Sequence, residues 1–346
     1  MCKMSEELPE LQAKRTVKEQ NETRSTVGRR FSVAPMMDCS DRHSRFFLRL
    51  FSENILLYTE MVTAAAILHG DPDRLLGFSD EEHPLAVQLG GSDPEQLYRA
   101  AQICNEYGYD EINLNCGCPS DRVQSGSFGA CLMKEPGLVA DCVAALKSAT
   151  SLPVTVKHRT GIDQQNDYDI FAGFVAAQVD AGAEAMIVHA RNAWLQGLNP
   201  RQNREIPPLK YDWVYRLKQD FPAQEIIING GIKTLQACLA HLQHVDGVML
   251  GREPYQNPYL LHNVDQVIFA QQQVEIPDRI AMLHRIYPYI ERQLSQGMPL
   301  TRMVRHLIGL FHGEPNARRW RRYLSENAYR KTAGIETLYQ AERLVS

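Results

Sequence analysis

No run among the 346 residues comes near the eighteen or so consecutive apolar residues of a membrane span, so no bilayer crossing is expected. An apolar leader is missing too. Residues Met1 to Arg30 are rich in Lys, Arg, Glu and Gln and hold no hydrophobic segment, which excludes a secretory signal and reads as a disordered tail. Cysteines are few. The eight, at positions 2, 39, 104, 116, 118, 131, 142 and 238, are too sparse for a disulfide framework, and thiols that stay reduced point to the cytoplasm. Only Cys116 and Cys118 lie close together, and with no second pair at finger-like spacing no metal site is expected. Neither a G-x-G-x-x-G nor a G-x-x-x-x-G-K-[ST] run occurs, which removes the usual nucleotide-binding fingerprints. Overall positive charge is lacking as well: 37 Lys and Arg face 41 Asp and Glu, a net charge of −4, which argues against a uniformly basic nucleic-acid coat.

What is there is an ordinary globular composition, 44% hydrophobic and 23% charged, which excludes a disordered or fibrous chain. The charge is unevenly spread. From Arg302 to Lys331 eight cations stand against two acids, Glu314 and Glu326, so this segment is +6 and the rest is −10. A local patch of this kind can bind a polyanion on a globally acidic protein.

Short runs rich in Val, Ile and Leu recur along the chain: Phe31–Met36, Leu56–Met61, Leu85–Leu89, Glu111–Asn115, Pro153–Lys157, Ala185–His189, Glu225–Asn229 and Gly247–Leu250. Each suits a parallel strand buried on both faces. Between them lie stretches of helical periodicity such as Pro94–Glu106 and Tyr168–Ala181, with Asp93-Pro94 and Glu135-Pro136 as helix starts. Eight β/α units in sequence predict an α/β fold, a (β/α)8 TIM barrel, in preference to a doubly wound open sheet. After Leu261 the strand-like runs stop. Helical spacing takes over through Asp278–Gln293, Thr301–Phe311, Ala317–Tyr329 and Ile335–Leu344. The expected organisation is a tail over 1–30, a barrel over 31–265 and a small all-helical domain over 270–346.

In such barrels the chemistry sits at the C-terminal ends of the strands. Those ends carry Pro35, Met36 and Met37, then Gln88, Asn115, Lys157, His189, Asn229-Gly230-Gly231 and Gly251-Arg252. Glycines after the seventh and eighth strands, with a guanidinium beside them, suit a phosphate. Gln88 and Asn115 offer the donors and acceptors that a heterocycle with alternating N–H and C=O requires, or they satisfy backbone groups. Lys157 serves as a nucleophile, an anion partner or half of an ion pair. A phosphate cup, a cation and ring-edge amides together fit flavin mononucleotide (FMN). Cys116 and Cys118 follow the fourth strand, and a protonated thiol there can act as general acid; spacing alone does not choose between them. In the basic run Ala317–Tyr323, Arg318 and Arg322 share a helical face, as do Arg319 and Arg322. With Trp320 interleaved they suit RNA, or else they are a solvated face with the Trp in the core.

These residues carry a resemblance. The segments Val33–Asp38, Asn113–Ser120, Lys157–Gly161, Val188–Arg191, Ile228–Ile232 and Val248–Arg252 resemble the tRNA-dihydrouridine synthases from Phe31 onward. Ala193–Leu198 and Asn203–Leu209 are similar to the A-type branch. The resemblance implies an FMN-containing barrel with a helical tRNA-binding domain. It assigns Pro35, Met36, Met37, Gln88, Lys157, His189, Asn229, Gly230, Gly231, Gly251 and Arg252 to the flavin. It selects Cys118 as the proton donor, turns Asn115, Asn203, Arg204, Arg319 and Arg322 toward tRNA, and makes NADPH the reductant. The implied substrate is D-loop uridine at positions 20 and 20a, and the implied protein is a cytoplasmic enzyme, a monomer that needs no metal and no membrane. A flavin enzyme for a free small pyrimidine or enone, and a non-catalytic RNA-binding module, are the rival readings. The +6 helical segment speaks against the first, and a yellow protein would speak against the second.

Overall fold

The apolar runs form eight parallel strands: β1 (Phe31–Val33), β2 (Leu57–Thr63), β3 (Leu85–Gly90), β4 (Glu111–Cys116), β5 (Val154–Arg159), β6 (Ala185–His189), β7 (Glu225–Asn229) and β8 (Gly247–Leu250). This computed structural model describes residues 27–120, 126, 128–271 and 277–345. Pairing runs β1-β8-β7-β6-β5-β4-β3-β2. The ring closes where Ser32 bridges Leu56 in parallel, with Val33 N donating to the Leu56 carbonyl at 3.0 Å. The result is the (β/α)8 barrel that the sequence predicts. β1 is shorter than its apolar run, because Pro35 has no N–H to continue a ladder.

Strand alternation divides the core in two. One set of side chains, including Leu56, Tyr58, Ile187, Ile227 and Met249, fills the barrel interior. The other set packs the outer face of the sheet against the helices, as Ile112, Leu114 and Cys116 of β4 do. Helix starts follow the capping rules. Asp93 accepts from Glu95 N and Gln96 N ahead of helix Pro94–Tyr107, and Asp167 accepts from Asp169 N and Ile170 N ahead of Tyr168–Asp180.

The floor of the barrel is ionic. Arg29 donates from Nε to Glu111 at 2.6 Å and from Nη1 to Glu225 at 2.7 Å, while Tyr58 and Thr155 hydroxyls donate to the same Glu111. Burial alone would lower the Arg29 pKa, but Glu111 and Glu225 outweigh it and hold the guanidinium above its ordinary value. The expected tail over 1–30 falls mainly outside the described residues. Arg29 itself is not part of a loose tail; it is buried and plugs the barrel.

The C-terminal segment is helical: Arg279–Ser295, Leu300–Val304, Ala317–Asn327 and Ile335–Glu342. The continuous helix expected over Thr301–Phe311 stops at Val304. Beyond it the chain tightens into turns closed by i+3 bonds such as Leu310 N to the Leu307 carbonyl. Gly309 there lies so close to the Gln256 carbonyl oxygen that a Cβ would sit 2.4 Å from it. The segment joins the barrel at Asp41, which caps helix Arg42–Arg49. Arg305 Nη2 reaches the Asp41 carboxylate at 2.8 Å and His306 Nε2 reaches it at 2.9 Å. Burial pushes the Asp41 carboxyl up, but the His306 hydrogen bond, its charge and the Ser44 amide prevail and hold it well below the usual range. Alongside, Tyr289 stacks on Phe46 with ring centroids 3.9 Å apart.

Candidate active site

At the C-terminal ends of the strands a cavity of about 1290 Å³ opens to solvent. Pro35, Met36, Met37, Gln88, Asn115, Cys118, Lys157, His189, Arg204, Asn229, Gly230, Gly231, Gly251 and Arg252 all line it. Three expected residues do not. Arg319 and Arg322 are exposed on helix Ala317–Asn327, away from the cavity wall. Asn203 is fully buried, and its turn toward tRNA is corrected: its Oδ1 accepts from Trp194 N, and its Nδ2 donates to the Trp194 and Leu198 carbonyls. An amide clamped at both ends inside a loop is unavailable to a ligand. Its work is to fold the loop that presents Arg204.

The end of β4 separates the two thiols: the strand stops at Cys116, and beyond it the chain turns, with Gly117 N and Cys118 N both donating to Asn115 Oδ1. Cys116 faces the helices, and burial holds its thiol well above the ordinary range. Cys118, two residues on, lines the cavity, with its N–H donating to Asn115 Oδ1 at 3.0 Å and its Sγ 3.4 Å from Ser120 Oγ. The loop beyond Ser120 lies outside the described residues up to 125.

On the neighbouring strand, in register with Asn115, Lys157 has among the described residues a single hydrogen bond, to Asn229 Oδ1 at 3.4 Å, and no carboxylate within ion-pair distance. Burial first, and then the Arg159 charge, lower its pKa to about 8. Burial and the same cations push His189 well below its ordinary value, so its ring is neutral. Gly230 packs against that ring: a Cβ there would lie 2.6 Å from His189 Cδ2, and the backbone takes φ +112°. Beside it, Arg252 Nη1 meets Glu205 at 2.5 Å across two loops.

Arg159 carries no expected role, yet it ties the mouth together. Its Nε donates to the Gly117 carbonyl at 2.9 Å, and its Nη1 donates to the carbonyls of Asn192 and Asn203 at 3.2 and 3.0 Å. Burial and the charges of Arg204 and Arg191 lower its pKa to about 10. Arg191, Arg201 and Lys233 also line the cavity without having been singled out. The signal for Arg159 was available: it stands two residues after Lys157, and so on the same side of the strand. The interleaved aromatic of the basic run is not at the surface. Trp320 is fully buried, packed on Phe311 with centroids 4.9 Å apart, and Arg322 is paired with Glu326 at 2.7 Å.

The family described as dihydrouridine synthase (Dus) matches residues 32–345. A tRNA-dihydrouridine(20/20a) synthase of Xanthomonas campestris pv. campestris is 58% identical over 314 residues, 91% of this chain and 93% of that protein. The protein of the same name from Escherichia coli K12 is 57% identical over 318 residues, 92% of each chain. The one from Vibrio cholerae is 55% identical over 313 residues, 90% of this chain and 95% of that one. Among solved structures, a 2-naphthoyl-CoA reductase complex superposes with a TM-score of 0.54 at 9% identity, over 68% of this chain and 50% of the other, which is a likeness of fold alone.

Proposed function

The chain belongs to the dihydrouridine synthase family, and from that premise we propose that it reduces the C5=C6 bond of uridine in tRNA to 5,6-dihydrouridine, at D-loop positions 20 and 20a. What carries this reading is one juxtaposition: a cavity-lining thiol, Cys118, and an amine without a carboxylate, Lys157, share a single mouth.

The residues present fit FMN. Lys157 is a cation whose charge the protein leaves uncompensated, as an anionic ring edge would need. The turn at Gly230 and Gly231, where side chains would collide with His189, Leu209 and Tyr211, lets backbone approach a phosphate, and Arg252 stands next to it. Gln88, Asn229 and the Pro35–Met37 segment complete the holding set. When bound, FMN supplies the hydride that adds to C6 and draws its electrons from NADPH.

The rest is the work of the chain. Arg191 and Arg204 draw the phosphate backbone to the mouth. The target uridine leaves its stack, at a cost of about a few kcal/mol, and its base enters the cavity. Asn115 holds the base edge. Cys118 delivers the proton from Sγ to C5, quenching the charge that builds on the ring, and the thiolate takes a proton back from solvent. No dinucleotide fingerprint occurs in the sequence, so NADPH uses this mouth too. An enzyme with this substrate works in the cytoplasm.

Cys118→Ala tests the reading. The variant is expected to retain flavin and NADPH oxidation and to lose dihydrouridine formation by about 10²–10⁴-fold. Wild-type dihydrouridine yield in that variant would remove the acid role.

A further inference from the structure

Glu111, Asn113 and Asn115 are alternate residues of β4 and point into the barrel. Around them runs an unbroken series of hydrogen bonds from floor to mouth. The Thr155 hydroxyl donates to Glu111 Oε1 at 2.5 Å, and Asn113 Nδ2 donates to Thr155 Oγ1 at 2.8 Å. Gln88 Nε2 donates to Asn113 Oδ1 at 2.7 Å, and Asn115 Nδ2 donates to Gln88 Oε1 at 2.7 Å. Asn115 Oδ1 then accepts the backbone N–H groups of Gly117 and Cys118 at 3.1 and 3.0 Å. Glu111, Asn113 and Thr155 are fully buried, and Gln88 is nearly so.

The series has one polarity. A carboxylate paired with Arg29 only accepts, so Thr155 must give it its single hydrogen. The Thr155 oxygen is then left to accept, which turns the Asn113 amide, which turns Gln88, which turns Asn115. At the far end the backbone N–H groups demand the same orientation. Reversing any one amide would set two donors or two acceptors against each other in a buried place.

We propose that Thr155 and Asn113 are positioning residues for the proton-donor loop: through Gln88 and Asn115 they fix, from the barrel floor, where Cys118 stands and which amide hydrogens Gln88 and Asn115 have left for ligands. Each of those two amides keeps one N–H, so the mouth offers donors to carbonyl oxygens of a bound ring. This inference rests on Cys118 as the proton donor.

The test compares Thr155→Val, which keeps the shape and removes the hydroxyl, with Thr155→Ser, which keeps the hydroxyl. Thr155→Val is expected to slow single-turnover reoxidation of the NADPH-reduced holoenzyme by tRNA about ten- to a hundredfold. It should also change the rate of Cys118 alkylation by iodoacetamide at least about threefold, in holoenzyme reconstituted to equal flavin content and with a smaller effect on the NADPH half-reaction; Thr155→Ser restores both rates. Wild-type reoxidation and alkylation in Thr155→Val, an equal loss in Thr155→Ser, or an equal loss in the NADPH half-reaction would each overturn the proposal. Hydrogen exchange on the unmodified protein tests it without any variant. The Gly117 and Cys118 amides should be protected like those of the strands, and exchange at open-loop rates would sink it. Cys118→Ala run alongside separates the two ideas. If that variant still makes dihydrouridine, the acid role fails while exchange still decides the positioning; if it is dead and Thr155→Val is unaffected, only the positioning fails.

Discussion

The two ends of this barrel are built from the same eight strands and treat charge in opposite ways. At the floor the ions are paired: Arg29 lies between Glu111 and Glu225, and the hydroxyls of Tyr58 and Thr155 both donate to Glu111 Oε1. At the mouth cations outnumber acids. Lys157, Arg159, Arg191, Arg204 and Arg252 line the cavity, and among these Arg252 is the one held to a carboxylate, that of Glu205. A paired buried charge lends specificity to a fold and little else. An unpaired one is tolerated only where something arrives to meet it. The contrast locates the functional end without reference to any ligand.

Breaking the floor should have the largest effect. Glu111→Ala leaves Arg29 buried with half its partners and is expected to cost about 3–5 kcal/mol of stability, read as a lowered midpoint in chemical denaturation. A midpoint within error of wild type would mean that the floor is no more sealed than the mouth.

At the mouth, removing a cation should spare the fold and weaken cofactor binding. Lys157→Met is expected to keep or raise the stability of the flavin-free protein and to weaken FMN binding about tenfold. Titration sharpens the point. With its pKa lowered to about 8, Lys157 loses its proton as pH rises through that value in the flavin-free protein. A ligand that prefers the protonated amine must then take up a proton, so FMN affinity should fall by up to about tenfold per pH unit above pH 8. Stability runs the other way: the unfolded chain holds this proton up to about pH 10.4, so the flavin-free fold gains between 8 and that limit. A pH-independent FMN affinity that is the same in wild type and Lys157→Met would refute the assignment.

The smallest effect is expected farthest from the cavity. Arg319→Ala combined with Arg322→Ala should weaken tRNA binding severalfold and reduce the salt slope by about one to two. The larger share should fall to Arg319, since Arg322 already has Glu326. Unchanged affinity and slope would make that helix face a bland surface.

Much of this was legible in the chain. Runs of Val, Ile and Leu mark the strands because a strand covered on both faces is mostly apolar, its buried polar residues such as Asn113 and Thr155 being held by partners on the next strand. Strand ends mark the mouth because alternation aims every second side chain inward. Three things were hidden, each for a reason of chemistry in space. The resemblance turns Asn203 toward tRNA, and an Asn in a loop has no period to betray its real direction; its partners Trp194 and Leu198 lie within nine residues, all in one folded loop. Trp320 was not among them: of its two readings the structure takes the core, since helical geometry turns it inward while its neighbouring arginines point out. Arg29 looked like one more charge in a polar tail, because its partners come from strands 82 and 196 residues away. The directional amide series was invisible for the same reason: it exists only once three strands are side by side.

The Asp41 junction has a mechanical meaning. Its carboxyl is held well below the ordinary carboxylate range, and two stretches of the helical segment, Arg305-His306 and the helix carrying Tyr289, grip it or its neighbour Phe46. It therefore behaves as a rivet rather than a hinge. The helical segment is thereby held at a set span from the mouth, as a fixed jaw is.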